Sequence, residues 1–140
     1  MKHILIVPVI AAGFWLSGAQ AADTSQAVIE ALNEAGYAQV RDVKMDDGLW
    51  EAEVGGADGR WHDLNVVPGT GEILDPMSKT PIKTAVEIAT QLEAAGYTQV
   101  HGLDLEEAVW EVDAVSPDGS KVDLRINGFD GRILVTESDG

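Results

Sequence analysis

The sequence predicts an α+β fold of two tandem α-β-β-β(-β) repeats, with an antiparallel sheet that has helices packed on one face. One observation is an internal copy without gaps. The Ala-Gly-Tyr of residues 35–37 returns sixty positions later at residues 95–97, and the Trp-Glu of residues 50–51 returns at residues 110–111. A fixed period in a chain this short indicates tandem structural units. The other observation is that the apolar spacing within each copy changes from helical to strand-like.

Each repeat is predicted to begin with a helix whose start is marked. Any of residues 23–25 can cap the first helix, and Asp23 with Gln26 has the spacing of a capping box. Thr84 and Glu87 have the same spacing in the second repeat. Apolar residues then recur every three or four positions, which predicts a buried stripe on each helix. The stripe residues are Val28, Ala31, Leu32, Ala35, Ile88, Leu92 and Ala95.

Each predicted helix ends at a glycine. Gly36 and Gly96 follow the last apolar residue of their stripes, and glycine adopts the left-handed conformation that ends a helix at the lowest cost. The tyrosine after each glycine is then expected to contact the last helical turn, at Leu32 in the first repeat. This capping role explains both tyrosines without any reference to function.

Three strands and a short fourth strand are predicted after each helix. The second and third strands alternate between apolar and polar residues, so one face is buried and the other faces water. The inward residues are Trp50, Ala52, Val54, Leu64, Val66, Trp110, Val112, Ala114, Val122, Leu124 and Ile126. Asp-Gly pairs at residues 58–59 and 118–119 predict the hairpin turns between them. The short fourth strands are predicted at residues 73–74 and 133–135.

In the first strand of each repeat, the apolar residues change from even-numbered to odd-numbered positions. This change of parity predicts a bulge near residues 41–42 and 101–102. Pro76 and Pro81 indicate a linker between the repeats. The predicted boundaries are residues 22–76 for the first repeat, 77–82 for the linker and 83–140 for the second repeat.

Residues 1–21 are predicted to be a signal peptide. Lys2 and His3 precede an apolar run from residue 4 to residue 16, and Ala19-Gln20-Ala21 fits the small-x-small rule for cleavage after Ala21. An apolar run of this length is short for a membrane span. The mature protein is therefore expected to be periplasmic or secreted, with no membrane span.

The charge of the chain narrows the choice of partner. There are 24 acidic and 9 basic residues, for a net charge of -15 at pH 7. Such a surface repels nucleic acid and anionic membranes and attracts cations or basic proteins, although the same charge can serve solubility alone. The chain contains no cysteine, which excludes disulfides and thiolate chemistry. Nothing in the sequence indicates an oligomeric state.

The outward strand positions collect carboxylates in both repeats. They are Glu51, Glu53 and Asp63 in the first repeat and Glu111, Asp113 and Asp123 in the second. Neighbouring strands lie about 4.8 Å apart, so these groups can receive the lysines or arginines of a partner or share a divalent cation. A flat face offers fewer oxygens than the six to eight of a calcium site, so no metal site is predicted.

Trp61 is the candidate anchor for a partner. Parity places it outward with Asp63 and Asn65, while His62 points inward with the buried residues. The equivalent position in the second repeat is Lys121, so the fold itself does not require an aromatic residue there. Tryptophan is enriched in binding hot spots. The alternative is that Trp61 packs beneath another part of the chain, because large aromatic residues are usually mostly buried.

No set of residues specifies a reaction, so neither a catalytic residue nor a cofactor is predicted. His62 and His101 are isolated rather than spaced as metal ligands. No serine or threonine has the glycine frame of a nucleophile elbow. Paired carboxylates are the minimum for a glycosidase, but here they lie on exposed strands with no evident cleft. The protein is therefore expected not to be an enzyme.

Both repeats resemble a PepSY domain, so the resemblance to a tandem PepSY protein covers nearly the whole predicted mature chain, twice. The motifs that carry the resemblance are Ala-Gly-Tyr-x-x-Val, Trp-Glu-x-Glu-Val, Asp-Gly-Arg, Asp-Leu-x-Val and Gly-Thr-Gly-Glu-Ile-Leu, all within residues 35–74. The second copy keeps Trp110-Glu111, Asp118-Gly119, Gly131 and Ile133-Leu134, but has Phe129-Asp130 in place of the Gly-Thr of the loop. These are turn and core positions, so they indicate a fold more strongly than an activity.

The resemblance implies a binding or inhibitory module. PepSY domains occur in propeptides of secreted peptidases and in bacterial envelope proteins, and tandem versions are similar to secreted β-lactamase inhibitor proteins. The family carries no agreed catalytic residue, so none is transferred to this chain. The expected function is to bind or inhibit a peptidase or another envelope protein through the acidic outer sheet face. The alternative is a periplasmic protein that binds or buffers divalent cations with the same carboxylates.

Overall fold

The computed structural model describes residues 23–139, which form two helices and eight strands in two antiparallel four-stranded sheets. This is an α+β protein, as the apolar periodicity predicts. The chain divides into two units, of which the first ends at Ile73 and the second begins at Leu74. The predicted signal peptide, residues 1–21, lies outside the described residues.

The first sheet has the strand order β1-β2-β3-β4. Its elements are α1 (Ser25–Glu34), β1 (Val40–Asp46), β2 (Leu49–Gly55), β3 (Trp61–Val66) and β4 (Ile73–Leu74). The second sheet has the order β5-β6-β7-β8. Its elements are α2 (Ala85–Ala94), β5 (Thr98–Glu106), β6 (Val109–Val115), β7 (Lys121–Asn127) and β8 (Ile133–Ser138).

The helix starts follow the predicted chemistry with one change. Thr24 is the N-cap of α1, and its hydroxyl accepts a hydrogen bond from the Ala27 amide at 3.0 Å. The capping box suggested by Asp23 is therefore wrong, because a box needs its first residue at the N-cap. The box at α2 is confirmed. The Glu87 amide donates to the Thr84 hydroxyl at 3.2 Å, and the Thr84 amide donates to the Glu87 carboxylate at 2.9 Å.

The helix ends have the predicted glycine cap. Gly36 has φ +106 and Gly96 has φ +98, both in the left-handed region. The Tyr37 amide donates to the Leu32 carbonyl at 2.9 Å, and the Gly36 amide donates to the Asn33 carbonyl at 3.1 Å. These are the two bonds of a Schellman motif, in which the residue after the glycine turns back onto the last helical turn.

The first core lies where Val28 and Leu32 of the helix stripe meet the inward strand positions, whereas Ala35, which was predicted to belong to the stripe, is exposed. Six residues form one buried cluster, each 0% or nearly 0% exposed, and Tyr37 packs against it. The six are Val28, Leu32, Ala52, Val54, Leu64 and Val66. Removal of their apolar surface from water is the main favourable contribution to the stability of this unit.

The second core uses the equivalent positions. Its cluster comprises Ile88, Leu92, Val112, Ala114, Val122, Leu124 and Ile126. Trp110 packs against this cluster, and its indole Nε1 donates a hydrogen bond to the Lys83 carbonyl at 2.9 Å. The ring therefore buries apolar surface and ties the entry of α2 to the sheet.

The predicted bulges are present in the first strand of each sheet. In β1 the register jumps between Arg41 and Lys44, and Asp42 has φ +55. In β5 the register shifts on both sides of His101, and the next residue, Gly102, has φ +64. An extra residue in an antiparallel pair re-aims the strand, so residues on either side of the bulge reach the same face.

The fourth strands differ between the two sheets, which the prediction of two short strands missed. β4 has 2 residues, whereas β8 has 6 and pairs with β7 from Ile126 to Val122. Proline lacks an amide hydrogen and cannot donate to a strand ladder. Pro76 stands at the position equivalent to Thr136 of β8. Asp75 instead starts a turn, in which its carboxylate accepts from the Met77 amide at 2.8 Å.

Candidate functional site

The predicted carboxylates of the first unit share one side of the first sheet. Glu53 lies opposite Arg41 on one side and Asp63 on the other, and Glu51 lies opposite Lys44 and Asn65. We call this surface the first outer face. It comprises Arg41, Lys44, Glu51, Glu53, Trp61 and Asp63. A cleft of about 540 Å³ opens on it and is lined in part by Lys44, Glu51, Glu53 and Asp63.

Two of the three carboxylates on this face are already paired with bases. Arg41 Nε lies 2.7 Å from Glu53 Oε1, and Lys44 Nζ lies 3.4 Å from Glu51 Oε1. The hydrogen bond from Arg41 holds the pKa of Glu53 below its ordinary value. The first outer face therefore carries bases beside its predicted acids. Neither base was predicted on this face, because the bulge of β1 brings residues three apart onto the same face.

Trp61 is half-buried at the start of β3. Its side chain is therefore neither fully exposed, as an outward anchor would be, nor fully buried beneath another part of the chain. The Arg41 guanidinium stacks on its ring, with Cζ 3.8 Å from the ring centroid. The Arg41 side chain thus joins the indole and Glu53 in one arrangement of aromatic, cation and anion. Asn65 lies on the predicted side of β3, opposite Glu51, but it is not exposed to water. Asn65 is 2% exposed, and its side chain donates to the Trp50 carbonyl at 3.3 Å.

The second sheet carries a row of acids at equivalent positions. The register aligns His101, Asp113, Asp123 and Glu137 across its four strands. Asp104 stands opposite Glu111, where the first unit has Lys44 opposite Glu51. We call this surface the second outer face. It comprises His101, Asp104, Glu111, Asp113, Asp123 and Glu137. Glu137 was not predicted on this face, because the fourth strand was predicted to end at residue 135.

Basic groups balance the second outer face only in part. His101 Nε2 lies 4.0 Å from Asp113 Oδ2, and Arg125 Nη2 lies 3.9 Å from Glu111 Oε2. Arg125 is 6% exposed, so its charge lies beneath the surface rather than on it. A cleft of about 230 Å³ opens beside His101 and Asp113 and is also lined by Lys121 and Asp139.

The carboxyl group of Asp123 has an unusual affinity for its proton. A hydrogen bond shared with Asp113, partial loss of hydration, and the charges of Asp139, Asp113 and Glu137 together raise its pKa to about 6. Two adjacent carboxylates resist being ionised together, since one proton shared between them removes the repulsion. The second outer face is therefore most anionic above pH 6.

The raised pKa of Asp123 predicts how the stability of the fold depends on pH. Ionisation of Asp123 disfavours the folded state. The contribution of protonated Asp123 to the free energy of unfolding is therefore fully present below its ordinary pKa of 3.8 and is lost as pH rises through about 6. We expect Asp123→Asn to raise the melting temperature at pH 8 and to leave it nearly unchanged at pH 4. Thermal unfolding followed by circular dichroism measures this difference.

Asp63→Asn is the matched control for that experiment. It removes a carboxylate from the equivalent position, opposite a glutamate that is paired with Arg41. We expect the gain at pH 8 to be smaller for this variant. An equal gain for Asp123→Asn at pH 4 and pH 8 would contradict the assignment of the proton to Asp123.

The six predicted carboxylates do not converge on one point. Within residues 23–139, no three of the six predicted carboxylates bring an oxygen each within 4.8 Å of one another. Calcium takes six to eight oxygen ligands, and Glu51 and Glu53 already bind bases. The divalent-cation alternative is left as a prediction from the sequence.

Comparison with known families supports the resemblance for the first unit. A PepSY family model, described as "Peptidase propeptide and YPEB domain", matches residues 9–77. The match includes all five elements of the first sheet's unit and begins within the predicted signal peptide. It supports a PepSY domain in this part of the chain. No curated protein and no solved structure matches the chain.

The helices of the described chain carry no membrane-spanning segment. Among residues 23–139, neither α1 nor α2 combines the length and the apolar character that are required to cross a membrane. Both helices have 10 residues.

Proposed function

We propose that this protein is an exported, non-catalytic module of PepSY type that binds, and thereby inhibits or restrains, a peptidase or another envelope protein. The match over residues 9–77 carries this proposal, because the description of the family names peptidase propeptides. The internal copy extends the proposal to the second unit, of which all but the first few residues lie beyond the match. The predicted signal peptide supports an exported location.

The first outer face has the chemistry of a protein-binding surface. Trp and Arg are the residues most enriched in binding hot spots, and here Arg41 stacks on Trp61 at 3.8 Å. The bond from Arg41 to Glu53 holds the guanidinium in place, so little side-chain freedom remains to be lost on binding. A partner that covers the indole would also remove water from the ion pair, which strengthens the attraction between the two charges at the cost of their hydration.

The second outer face is suited to a different task. Its acids lie 3.9 Å or more from the bases they face, against 2.7 and 3.4 Å on the first outer face, and they contribute to the net charge of -15. Such a field speeds the encounter with a basic partner, and the effect weakens with added salt. We propose that the second outer face steers the partner and that the first outer face anchors it.

A direct test measures inhibition and binding of purified secreted peptidases by residues 22–140. Trp61→Ala is expected to weaken binding about tenfold or more, as is typical of a hot-spot tryptophan. Val86→Ala is the matched control, because Val86 is an exposed apolar residue, 75% exposed, on helix α2. Affinity is measured by calorimetry and inhibition by hydrolysis of a peptide substrate.

The outcomes separate the parts of the proposal. Equal affinity for Trp61→Ala and the unchanged protein would rule out the first outer face as the anchor. Hydrolysis of a substrate by the protein alone would rule out a non-catalytic role. Loss of binding in Val86→Ala would show that the surface of α2 contacts the partner.

A further inference from the structure

We propose that the outer edge of β3 in the first unit binds an extended, basic segment of the partner as an additional β-strand. This inference rests on the proposed function, since it names how that partner is held. Addition of a strand to a sheet edge is a common way for a domain to bind a peptide, with backbone hydrogen bonds for affinity and side chains for specificity.

The edge is open because β4 is short. β3 has 6 residues and β4 has 2, so most of this side of β3 faces no strand among residues 23–139. In the second sheet the same side of β7 is covered by β8 over the whole length from Val122 to Ile126. The second unit thus shows that the fold accepts a strand in this position.

The chain after β4 does not fill the position. Pro76 cannot donate a hydrogen bond, and Asp75 closes a turn through the Ser78 amide, which donates to its carbonyl at 3.0 Å. Residues 75–82 form no further strand of the first sheet. The place that residues 136–138 occupy beside β7 is therefore left without a strand beside β3.

The backbone of β3 presents its hydrogen-bonding groups to this open side at two residues. The Gly56 amide donates to the Arg60 carbonyl, so the even-numbered residues of this segment direct their backbone groups towards β2. The Val67 amide donates to the Glu72 carbonyl, so the odd-numbered residues direct theirs away from β2. Hydrogen bonds alternate between the two sides of a strand. Trp61 and Asp63 therefore point their amide and carbonyl groups outward. At the position equivalent to Trp61, the Lys121 carbonyl accepts from the Asp139 amide at 2.9 Å.

The charge beside the edge selects a basic segment. Asp63 is exposed, and in the part of the chain that the structure describes it makes no ion pair. It ends the row in which Arg41 already neutralises Glu53. A residue of the added strand opposite Asp63 would be its direct cross-strand neighbour, where opposite charges stabilise and like charges destabilise. Lysine or arginine is therefore favoured at that position of the added strand. The next residue of the added strand on the same face would lie beside the half-buried Trp61.

A second copy of the chain is a poorer occupant. Two chains that each carry a net charge of -15 repel one another. β3 also has Asp63 on its outward face, so pairing of two such strands brings acidic groups together. The edge is therefore better matched to a partner of opposite charge.

The test uses residues 22–140 and a short capped peptide in which lysine alternates with valine or threonine. Amide hydrogen exchange of the protein, followed by NMR, is measured with and without this peptide. We expect exchange at Trp61 and Asp63 to slow at least tenfold, because their amides become bonded. The same peptide with glutamate in place of each lysine is expected to give no protection.

Two variants separate the edge from the face. Asp63→Pro removes the outward amide and is expected to abolish peptide binding, whereas Asp63→Ala keeps the amide and is expected to bind several-fold more weakly. Asp63→Pro is accepted as a test only if its circular dichroism matches that of the unchanged protein. The exchange measurement on the unchanged protein needs no variant, so the inference remains testable if Asp63→Pro fails to fold.

Several results would overturn the inference. They are no saturable binding of the lysine peptide, binding that leaves the exchange of Trp61 and Asp63 unchanged, or protection that depends on protein concentration and reflects a dimer. These results differ from failure of the proposed function. If a peptidase is bound through Trp61 while Asp63→Pro binds it normally, the function holds and the added strand is excluded.

Discussion

Leu64→Ala is expected to lower the free energy of unfolding of the first unit by about 2–5 kcal/mol. Leu64 is 0% exposed and lies opposite Ala52 in the neighbouring strand. It belongs to the buried cluster that also holds Val28 and Leu32 of α1. Truncation removes the apolar contacts and leaves a cavity that the small neighbour Ala52 does not fill.

Denaturant unfolding followed by circular dichroism measures this loss. The matched control is Leu105→Ala, which makes the same truncation at a residue that is 41% exposed. Leu124→Ala is the equivalent change in the second core. If the two units unfold in separate transitions, each core variant should shift its own transition. A loss for Leu64→Ala no greater than that for Leu105→Ala would show that the cluster does not hold the helix on the sheet.

Gly128→Ala is expected to destabilise the second unit by about 1–3 kcal/mol, although it adds only one methyl group. A Cβ atom at this position would lie 2.6 Å from the Ala108 carbonyl oxygen and 3.1 Å from Ile82 Cγ2. The Gly128 amide donates to that same Ala108 carbonyl at 2.8 Å, and its own carbonyl accepts from the Lys83 amide at 2.7 Å. The clash is with backbone, so relief requires displacement of these two hydrogen bonds.

Pro68→Ala is the matched control, because Pro68 is the equivalent residue in the first unit and already carries a Cβ atom. We expect this change to alter the stability by much less. The thermal unfolding of both variants is measured under the same conditions. Equal melting temperatures for Gly128→Ala and the unchanged protein would show that Ala108 moves away without cost, and that the close approach is not needed for the fold.

Local sequence was sufficient to predict the elements of this fold. The apolar stripe, the capping box at Thr84 and the glycine at residue 36 act within one or two helical turns, so their effect is visible in the sequence. Alternation in β2 and β3 likewise predicted which residues are buried, because the two faces of a strand follow a period of two. The length of β8 was missed, since Thr136-Glu137-Ser138 has no apolar alternation to mark it.

The candidate site was predicted only in part. The six carboxylates follow from strand parity, and the register places Glu53 opposite Asp63 and Asp113 opposite Asp123. Arg41 and Lys44 were missed, although the bulge that brings them to this face was predicted. Parity describes an uninterrupted strand, whereas the number of residues that a bulge inserts appears only in the pairing of two strands.

The sequence by itself determined the internal copy, the order of helix and strands, the two cores and the acidic balance. All of these depend on residue type and short-range spacing. Only the tertiary structure decided which charges meet across strands, that Arg41 covers Trp61, that Asn65 is buried, and that the outer edge of β3 lacks a partner strand. These features depend on contacts between residues far apart in the chain, and their geometry is set when the sheet forms.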